Sequence, residues 1–373
     1  MRVLILHASA GEGHRRAAEG LGEQFQELES VKEVRVLDTL DFAAATVQKT
    51  YEPSYVFMMT RAVWLWALSY YLTRPYWVNR FLLHPLRRVF NDAVLGKLEA
   101  LILEDLPDLI VCTHFMPACF VANLKLKHRL RCPVATVVTD YGVHPFWVAP
   151  GTDLYCLGAE RAVRQMKSWD AKAFRAEALG IPSRPVFFPA EDKAQLRREL
   201  DLNAGLPTVL LSGGGFGVGR IRDLIERLSA VQVDYQLQLV CGHNRELREW
   251  AETFALGPGR SLKWKIHGFV QNMHELLRAS DLVMIKAGGL SVTEAVQSGV
   301  PILIHSALPG QEYENAAYVK EEGLGWQAHS NEEVVGQLKR CLSQPELLEE
   351  ARARMLKLRH ASTAEEILEA LEK

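Results

Sequence analysis

Cysteine is sparse for a chain of this length, and the six present (Cys112, Cys119, Cys132, Cys156, Cys241 and Cys341) form no Cys-x-x-Cys pair. They lie mostly in apolar runs, where reduced, buried thiols are the ordinary expectation, so the composition points to a cytoplasmic protein. Long apolar runs are missing too: Ala62 to Thr73, the longest uncharged one near the front, has 12 residues. A spanning helix needs about 20, so no membrane crossing is expected. The opening stretch Met1 to His7 is too short for an export signal and has the shape of a first β-strand. No charge of either sign dominates, since 43 Lys plus Arg face 45 Asp plus Glu for a net charge of −2. That balance excludes a global attraction to nucleic acid, and any basic footprint must be local. Neither Asp-x-Asp nor His-Glu-x-x-His occurs, so no metal ligand set is visible and no metal is expected.

What is present is the composition of a globular chain, 48% hydrophobic and 24% charged over 373 residues, enough for two domains of ordinary size. Short β-branched runs at Val3 to Leu6, Val34 to Leu37, Leu109 to Cys112 and Val134 to Val138 alternate with amphipathic stretches. Such alternation predicts parallel βαβ units. The Pro-rich stretch from Gly180 to Pro189 cannot continue as helix or central strand and reads as a linker. The alternation then restarts at Thr208 to Leu211, Leu237 to Val240, Lys263 to Ile266, Leu282 to Ile285 and Ile302 to Ile304. The expected fold is α/β, two Rossmann-like domains facing across a cleft. The expected boundaries are 1–180, a linker at 181–192, a second domain at 193–355, and a C-terminal helix at 356–373 packing back on the first. In open sheets of this kind ligands bind beyond the carboxyl ends of the strands, which makes the residues right after strands the candidates.

In the second half, Asp281 to Glu294 encodes a strand, a glycine turn at Gly288-Gly289 and the start of a helix. The glycines allow close backbone approach, and the free N–H groups of the next helix favour an anion such as a pyrophosphate. Glu294 has two readings: Ser291-x-x-Glu294 is the spacing of a capping box, and a carboxylate facing a bound nucleotide accepts both ribose hydroxyls. A second cluster, Ser212-Gly213-Gly214-Gly215-Phe216-Gly217-Val218-Gly219, is another close-approach loop. Val218 stands where a dinucleotide fingerprint needs its third glycine, and no Gly-Lys-Ser/Thr follows, which disfavours a dehydrogenase or an ordinary nucleotide triphosphatase. At Pro309-Gly310-Gln311-Glu312-Tyr313-Glu314-Asn315 a helix begins just after a strand. Its side chains either hold sugar hydroxyls or simply answer the helix dipole.

In the first half, the opening strand runs into Ala8-Ser9-Ala10-Gly11-Glu12-Gly13-His14, which sets His14 at the start of a helix reaching about Leu28. A helix N-terminus disfavours imidazolium, so the ring is expected to be neutral near pH 7 and able to take a proton, or else to be a polar residue of an anion-binding loop. Thr139-Asp140-Tyr141-Gly142-Val143-His144-Pro145-Phe146-Trp147 follows the Val134 strand, where Asp140 either orients His14, replaces it as base, or caps a turn, and Trp147 is either acceptor-facing or core. His114 reads as a satisfied structural histidine. Tyr51 to Phe90 holds 11 of the 32 aromatic residues, including Trp64 and Trp66, with Arg61, Arg74, Arg80, Arg87 and Arg88 and no acid from Pro53 onward. Rings interleaved with arginine describe either a segment lying on an anionic membrane surface or an aromatic helical subdomain or dimer interface.

Taken in order, Ser9 to His14, Thr139-Asp140 with His144 and Trp147, Gly180-Ile181-Pro182, Gly213 to Gly215, Lys286 to Glu294, and Pro309 to Glu312 with Asn315 resemble the diacylglycerol glycosyltransferases. These are the monogalactosyldiacylglycerol synthases and the bacterial processive diacylglycerol glucosyltransferases, relatives of the peptidoglycan glycosyltransferase that makes lipid II. The resemblance spans nearly the whole chain. It implies a GT-B fold, UDP-galactose or UDP-glucose bound mainly by the second domain, diacylglycerol at the first, inversion at the anomeric carbon, no cofactor beyond the co-substrate, and peripheral attachment to an anionic lipid surface. By position, His14 matches the catalytic base, with Asp140 the other candidate, and Gly11, Gly13, His144 and Trp147 border the acceptor. Gly288, Gly289, Leu290 and Ser291 match the diphosphate loop, Glu294 the ribose-binding acid, and Phe269 and Val270 the loop bordering the uracil. Gly213, Gly214 and Gly215 also belong to the donor side, as do Gln311, Glu312 and Asn315 near the sugar. Two departures stand out: Glu12 interrupts the three glycines of the plant enzymes, and Tyr313-Glu314 replaces a more usual acid and glycine, which leaves the sugar open. Rival readings are a lipid II-type transferase using UDP-N-acetylglucosamine, a UDP-sugar epimerase, and a non-catalytic UDP-sugar-binding membrane protein.

Overall fold

The computed structural model describes residues 1–9, 11–170, 174–188, 192–212, 221–257 and 263–373. The chain divides into two compact units, the first made of Met1–Pro185, Pro309–Glu314 and His360–Lys373, the second of Val186–Leu308 and Asn315–Arg359. Each is built on one parallel sheet of six strands with helices on its faces, which is the α/β class the alternation predicts.

The first sheet contains β1 (Arg2–His7), β2 (Glu33–Asp38), β3 (Leu109–Cys112), β4 (Val134–Val137), β5 (Leu154–Leu157) and β6 (Ala176–Ala178) in the order β2-β1-β3-β4-β5-β6. Side chains alternate across a strand, and here both sides are apolar, because a parallel sheet is covered on both faces. Leu4, Leu6, Ile110, Cys112 and Val134 pack against Leu98, Ile102, Phe120 and Leu124 on one side. Val3, Ile5, Leu109, Val111 and Ala135 pack on the other against Ala18, Leu21 and Phe25 of helix α1 (Glu12–Gln26) and against Ala364, Ile367 and Ala370 of the helix Thr363–Glu372. Between β2 and β3 the chain inserts α2 (Ala45–Thr60), α3 (Val63–Thr73) and the helix His84–Val94.

The second sheet contains β7 (Thr208–Ser212), β8 (Gln236–Val240), β9 (Lys263–His267), β10 (Leu282–Lys286), β11 (Ile302–Ser306) and β12 (Gly325–Gln327) in the order β12-β11-β10-β7-β8-β9. Val209, Leu211, Leu237, Leu239, Leu282, Met284 and Leu303 join Ile221, Leu224, Ile225, Val334 and Leu338 in its core. Three strands escape the sequence reading. β6 and β12 are three-residue edge strands, and the four residues of β5 are too few to show a period.

Strand order locates the crevices. The chain leaves β1 outward to β2 and returns on the other side to β3, so the loops after β1 and β3 part at the carboxyl edge. The same reversal separates the loops after β7 and β10, and ligands of open α/β sheets lie at such switch points.

One buried amide joins three parts of the first unit. Gln24 of α1 donates to the Ser183 carbonyl at 2.8 Å and accepts from the Ala364 N–H at 3.1 Å. That N–H stands in the first turn of its helix and has no intrahelical partner. Gln24→Leu would leave both backbone groups buried and unpaired, and we expect it to lower stability by about 1–3 kcal/mol, read as a lower urea midpoint with an unchanged slope.

Candidate active site

Gly11 caps α1 with φ 93°, a backbone conformation open to glycine at little cost, and thereby turns the chain from β1 into the helix. His14 follows in the first turn. Its Nδ1 lies 2.8 Å from the Thr113 carbonyl oxygen and 3.0 Å from Thr139 Oγ1, while Thr113 Oγ1 donates to the His14 carbonyl at 3.0 Å. Thr113 follows β3 and Thr139 follows β4, so the ends of three neighbouring strands converge on one imidazole. A carbonyl can only accept, which assigns the proton to Nδ1 and leaves the Nε2 lone pair as the basic one. The His114 ring meets the His14 ring nearly at right angles with centroids 4.7 Å apart, and the Trp147 ring centroid lies 5.9 Å away.

This packing pushes the His14 pKa down to about 4. Desolvation is the largest cause and the neighbouring His7 lowers it further, against an opposing pull from the Thr113 carbonyl. The neutral ring expected from the sequence is therefore neutral chiefly through burial. The orienting contacts on Nδ1 come from Thr113 and Thr139. Asp140, half-buried beside them, sends its field toward Tyr55 and Tyr70 and helps raise both phenols, Tyr55 to about 12, although burial is the larger cause for each. Thr113 was not singled out by its residue type. The signal that could have found it is its place directly after an apolar β run.

His114 is buried and its Nδ1 accepts from the Met116 N–H at 3.1 Å, capping the helix Phe115–Leu126 as a structural histidine. His144 and Trp147, expected to border the acceptor, are both buried. His144 Nδ1 accepts from the Phe146 N–H at 3.2 Å and its Nε2 faces the Tyr70 carbonyl at 3.2 Å, so it holds α3 in place, while Trp147 belongs to a core cluster with Val138, Val143 and Leu157. A Cβ at Gly13 would meet open space.

In the second unit the strand β10 ends at Lys286, and the helix Gly289–Ser298 starts with Gly288 as its cap and no side-chain cap bond. The capping-box reading of Ser291 and Glu294 fails, because Ser291 is already the third helical residue and Glu294 lies a turn further in, 7% exposed. Leu290 and Ser291 share the first turn with Gly289, whose N–H groups face the carboxyl edge of the sheet. Asn315, fully buried, donates from Nδ2 to the Ala287 carbonyl at 3.0 Å and so pins the helix Gln311–Glu321 to this loop. After β9, Phe269 stacks on His243 with ring centroids 4.3 Å apart and planes 16° apart, with Val270 next to it. Gly213, Gly214 and Gly215 lie outside the described residues. Gln311 and Glu312 stand on the Pro309–Glu314 segment, which belongs to the first unit. Among the described residues no group of three or more His, Cys, Asp or Glu is placed to hold a metal ion.

Residues 14–183 match the family model of monogalactosyldiacylglycerol (MGDG) synthase, and residues 208–368 match the glycosyltransferase family 28 C-terminal domain. A probable chloroplastic monogalactosyldiacylglycerol synthase 2 of Oryza sativa subsp. japonica is 34% identical over 342 residues, covering 87% of this chain and 70% of that protein. The chain belongs to the monogalactosyldiacylglycerol synthase family. The processive diacylglycerol beta-glucosyltransferase of Bacillus subtilis is 27% identical over 99% of this chain and 94% of its own. The crystal structure of Acinetobacter baumannii MurG superposes with a TM-score of 0.62 at 15% identity, covering 100% of this chain and 99% of that one, which gives the GT-B fold. The protein is thus a glycosyltransferase of GT-B architecture.

For this glycosyltransferase three desolvated histidines, His84 and His144 buried and His14 half-buried, set a pH dependence. His14, His84 and His144 all have folded pKa values of about 4 against 6.5 in the unfolded chain. Between those values the unfolded state binds more protons, so their contribution to stability is complete above about pH 6.5 and is lost as the pH falls toward about 4. Thermal melts are expected to show the melting temperature dropping across that window, and an unchanged value there would contradict the packing around these rings.

Proposed function

We propose that this glycosyltransferase moves a hexose, galactose or glucose, from its UDP carrier to the hydroxyl of diacylglycerol, with inversion at the anomeric carbon. The observation that supports this reading most is His14: a neutral imidazole at the β1/β3 switch point with Nδ1 protonated and Nε2 basic. In the reaction the acceptor oxygen forms its bond to the anomeric carbon as the bond to UDP breaks on the opposite face. The hydroxyl proton passes to His14 Nε2, and the negative charge leaves with UDP. The first turn after Gly288, with its unpaired N–H groups, suits the departing diphosphate, and Glu294 suits the ribose hydroxyls. Phe269 with His243 offers a flat face to a base.

The test is mass spectrometry of lipids after the purified protein meets diacylglycerol vesicles with UDP-glucose, UDP-galactose or UDP-N-acetylglucosamine supplied separately. We expect one or more hexose additions with one of the first two donors, and a loss of roughly 10²- to 10⁴-fold in kcat for His14→Ala. Product from UDP-N-acetylglucosamine alone would replace this reading with the lipid II-type one, and UDP-sugar binding without any product would leave a non-catalytic binder.

The membrane reading of the insert gains support from exposure. Trp64, Leu68, Leu72, Trp77, Phe81, Leu86 and Val89 are all largely exposed, Trp64 at 70% and Phe81 at 73%. No helix among the described residues is long and apolar enough to cross a membrane, so the surface suits lying on one. Two of the five arginines are engaged inside the protein: Arg74 pairs with Glu314, and Arg87 donates to the Phe146 carbonyl and to Asn79 Oδ1 at 2.7 Å each. Arg80 donates to the Tyr76 hydroxyl at 3.2 Å on the exposed side, and with Arg61 and Arg88 it suits anionic headgroups, worth about 1 kcal/mol each. Replacing Trp64, Leu68 and Leu72 together by serine is expected to weaken sedimentation with anionic vesicles by at least about tenfold. UDP binding should stay as in the wild type, and undiminished sedimentation would remove this surface from consideration.

A further inference from the structure

Helix α3 carries different chemistry on its two sides. Trp64, Leu65, Leu68, Tyr71 and Leu72 are exposed to solvent. Trp66, Tyr70 and Arg74, spaced four residues apart and so on one stripe, meet the Pro309–Glu314 turn of the same unit. Trp66 Nε1 donates to the Pro309 carbonyl at 3.1 Å, and the Tyr70 ring lies over Gly310. Arg74 Nη2 pairs with Glu314 Oε1 at 3.0 Å. The second carboxylate oxygen takes Arg161 Nη2 at 2.9 Å, and Arg161 Nη1 donates to the Glu314 carbonyl, also at 2.9 Å. Glu314 is held closely from below as well: a Cβ at position 142 would stand 2.5 Å from the Glu314 Cβ, so Gly142 is the residue that admits this acid.

A carboxylate shared by two guanidinium groups, with its side chain only 19% exposed, is held more firmly than a surface ion pair. The turn it anchors carries Gln311 and Glu312. We propose that Glu314 is a positioning residue for the donor sugar: clasped by Arg74 and Arg161, it fixes the Gln311-Glu312 turn to the inner stripe of α3, so that donor affinity depends on how that helix is held. The inference rests on the reading of Gln311 and Glu312 as donor-sugar residues.

The experiment compares wild type, Glu314→Gln, Arg74→Ala and Arg74→Lys as full-length protein on diacylglycerol vesicles, reading KM and kcat for the UDP-hexose and for diacylglycerol, with calorimetric Kd for the UDP-hexose in parallel. We expect Glu314→Gln and Arg74→Ala to raise KM and Kd for the donor about five- to tenfold while KM for diacylglycerol moves less than about twofold, and Arg74→Lys to recover most of the loss. Unchanged donor KM and Kd would overturn the proposal. So would a fall in kcat accompanied only by a lower melting temperature, which is what a purely structural ion pair would give. A wild-type protein that binds UDP-hexose but transfers none would overturn the proposed reaction, while the donor Kd values would still decide the role of Glu314. Failure to bind UDP-hexose at all would overturn both.

Discussion

Parallel strands send all their carboxyl ends to one edge, and a chain that winds first one way and then the other must part its loops where it reverses. Both units obey that constraint, at β1/β3 and at β7/β10. At such an edge the backbone leaves the sheet with polar groups still seeking partners, and each unit meets the need differently. In the first, the Thr113 carbonyl after β3 takes up His14 Nδ1. In the second, the Ala287 carbonyl after β10 takes up the Asn315 amide, and the first turn at Gly289 keeps its N–H groups pointed outward. Where one edge presents a proton acceptor, the other presents donors suited to an anion.

The His14 environment combines two opposed effects. The Thr113 carbonyl alone would favour the protonated ring, yet desolvation outweighs it and the ring stays neutral. The bond still matters, because it fixes which nitrogen carries the proton and how the ring is turned. His114 and Trp147 then act as walls: their ring centroids lie 4.7 and 5.9 Å from that of His14, and His114 Nδ1 is committed to capping a helix.

Much of this was legible in the sequence. Buried parallel strands read as short continuous apolar runs, so β1, β3, β4, β7, β10 and β11 stand out, while β8 and β9 show the alternation of a strand, and the glycines that follow β1 and β10 mark the loops that leave the sheet. What spacing could not convey is any contact made across the fold. Thr113 lies 99 residues from His14 and Arg74 lies 240 from Glu314. Local pattern was also misleading in places. Ser291-x-x-Glu294 has the spacing of a cap, but Gly288 starts the helix three residues earlier. The arginines of the insert looked alike in sequence, whereas Arg74 and Arg87 turn inward to specific acceptors.

In the proposed reaction His14, neutral with a pKa of about 4, would be a fully available but intrinsically weak base, which bears on the order of events. Such a ring will not ionise a free hydroxyl before attack, because the proton affinity of an alkoxide far exceeds its own. Transfer becomes favourable only once the attacking oxygen has begun to bond to the anomeric carbon and its proton has grown acidic. The imidazolium then forms alongside the negative charge gathering on the leaving diphosphate. In the proposed reaction the burden of lowering the barrier would therefore fall largely on leaving-group stabilisation by the helix start at Gly289, with His14 drawing the proton late and along a direction fixed by the Thr113 carbonyl.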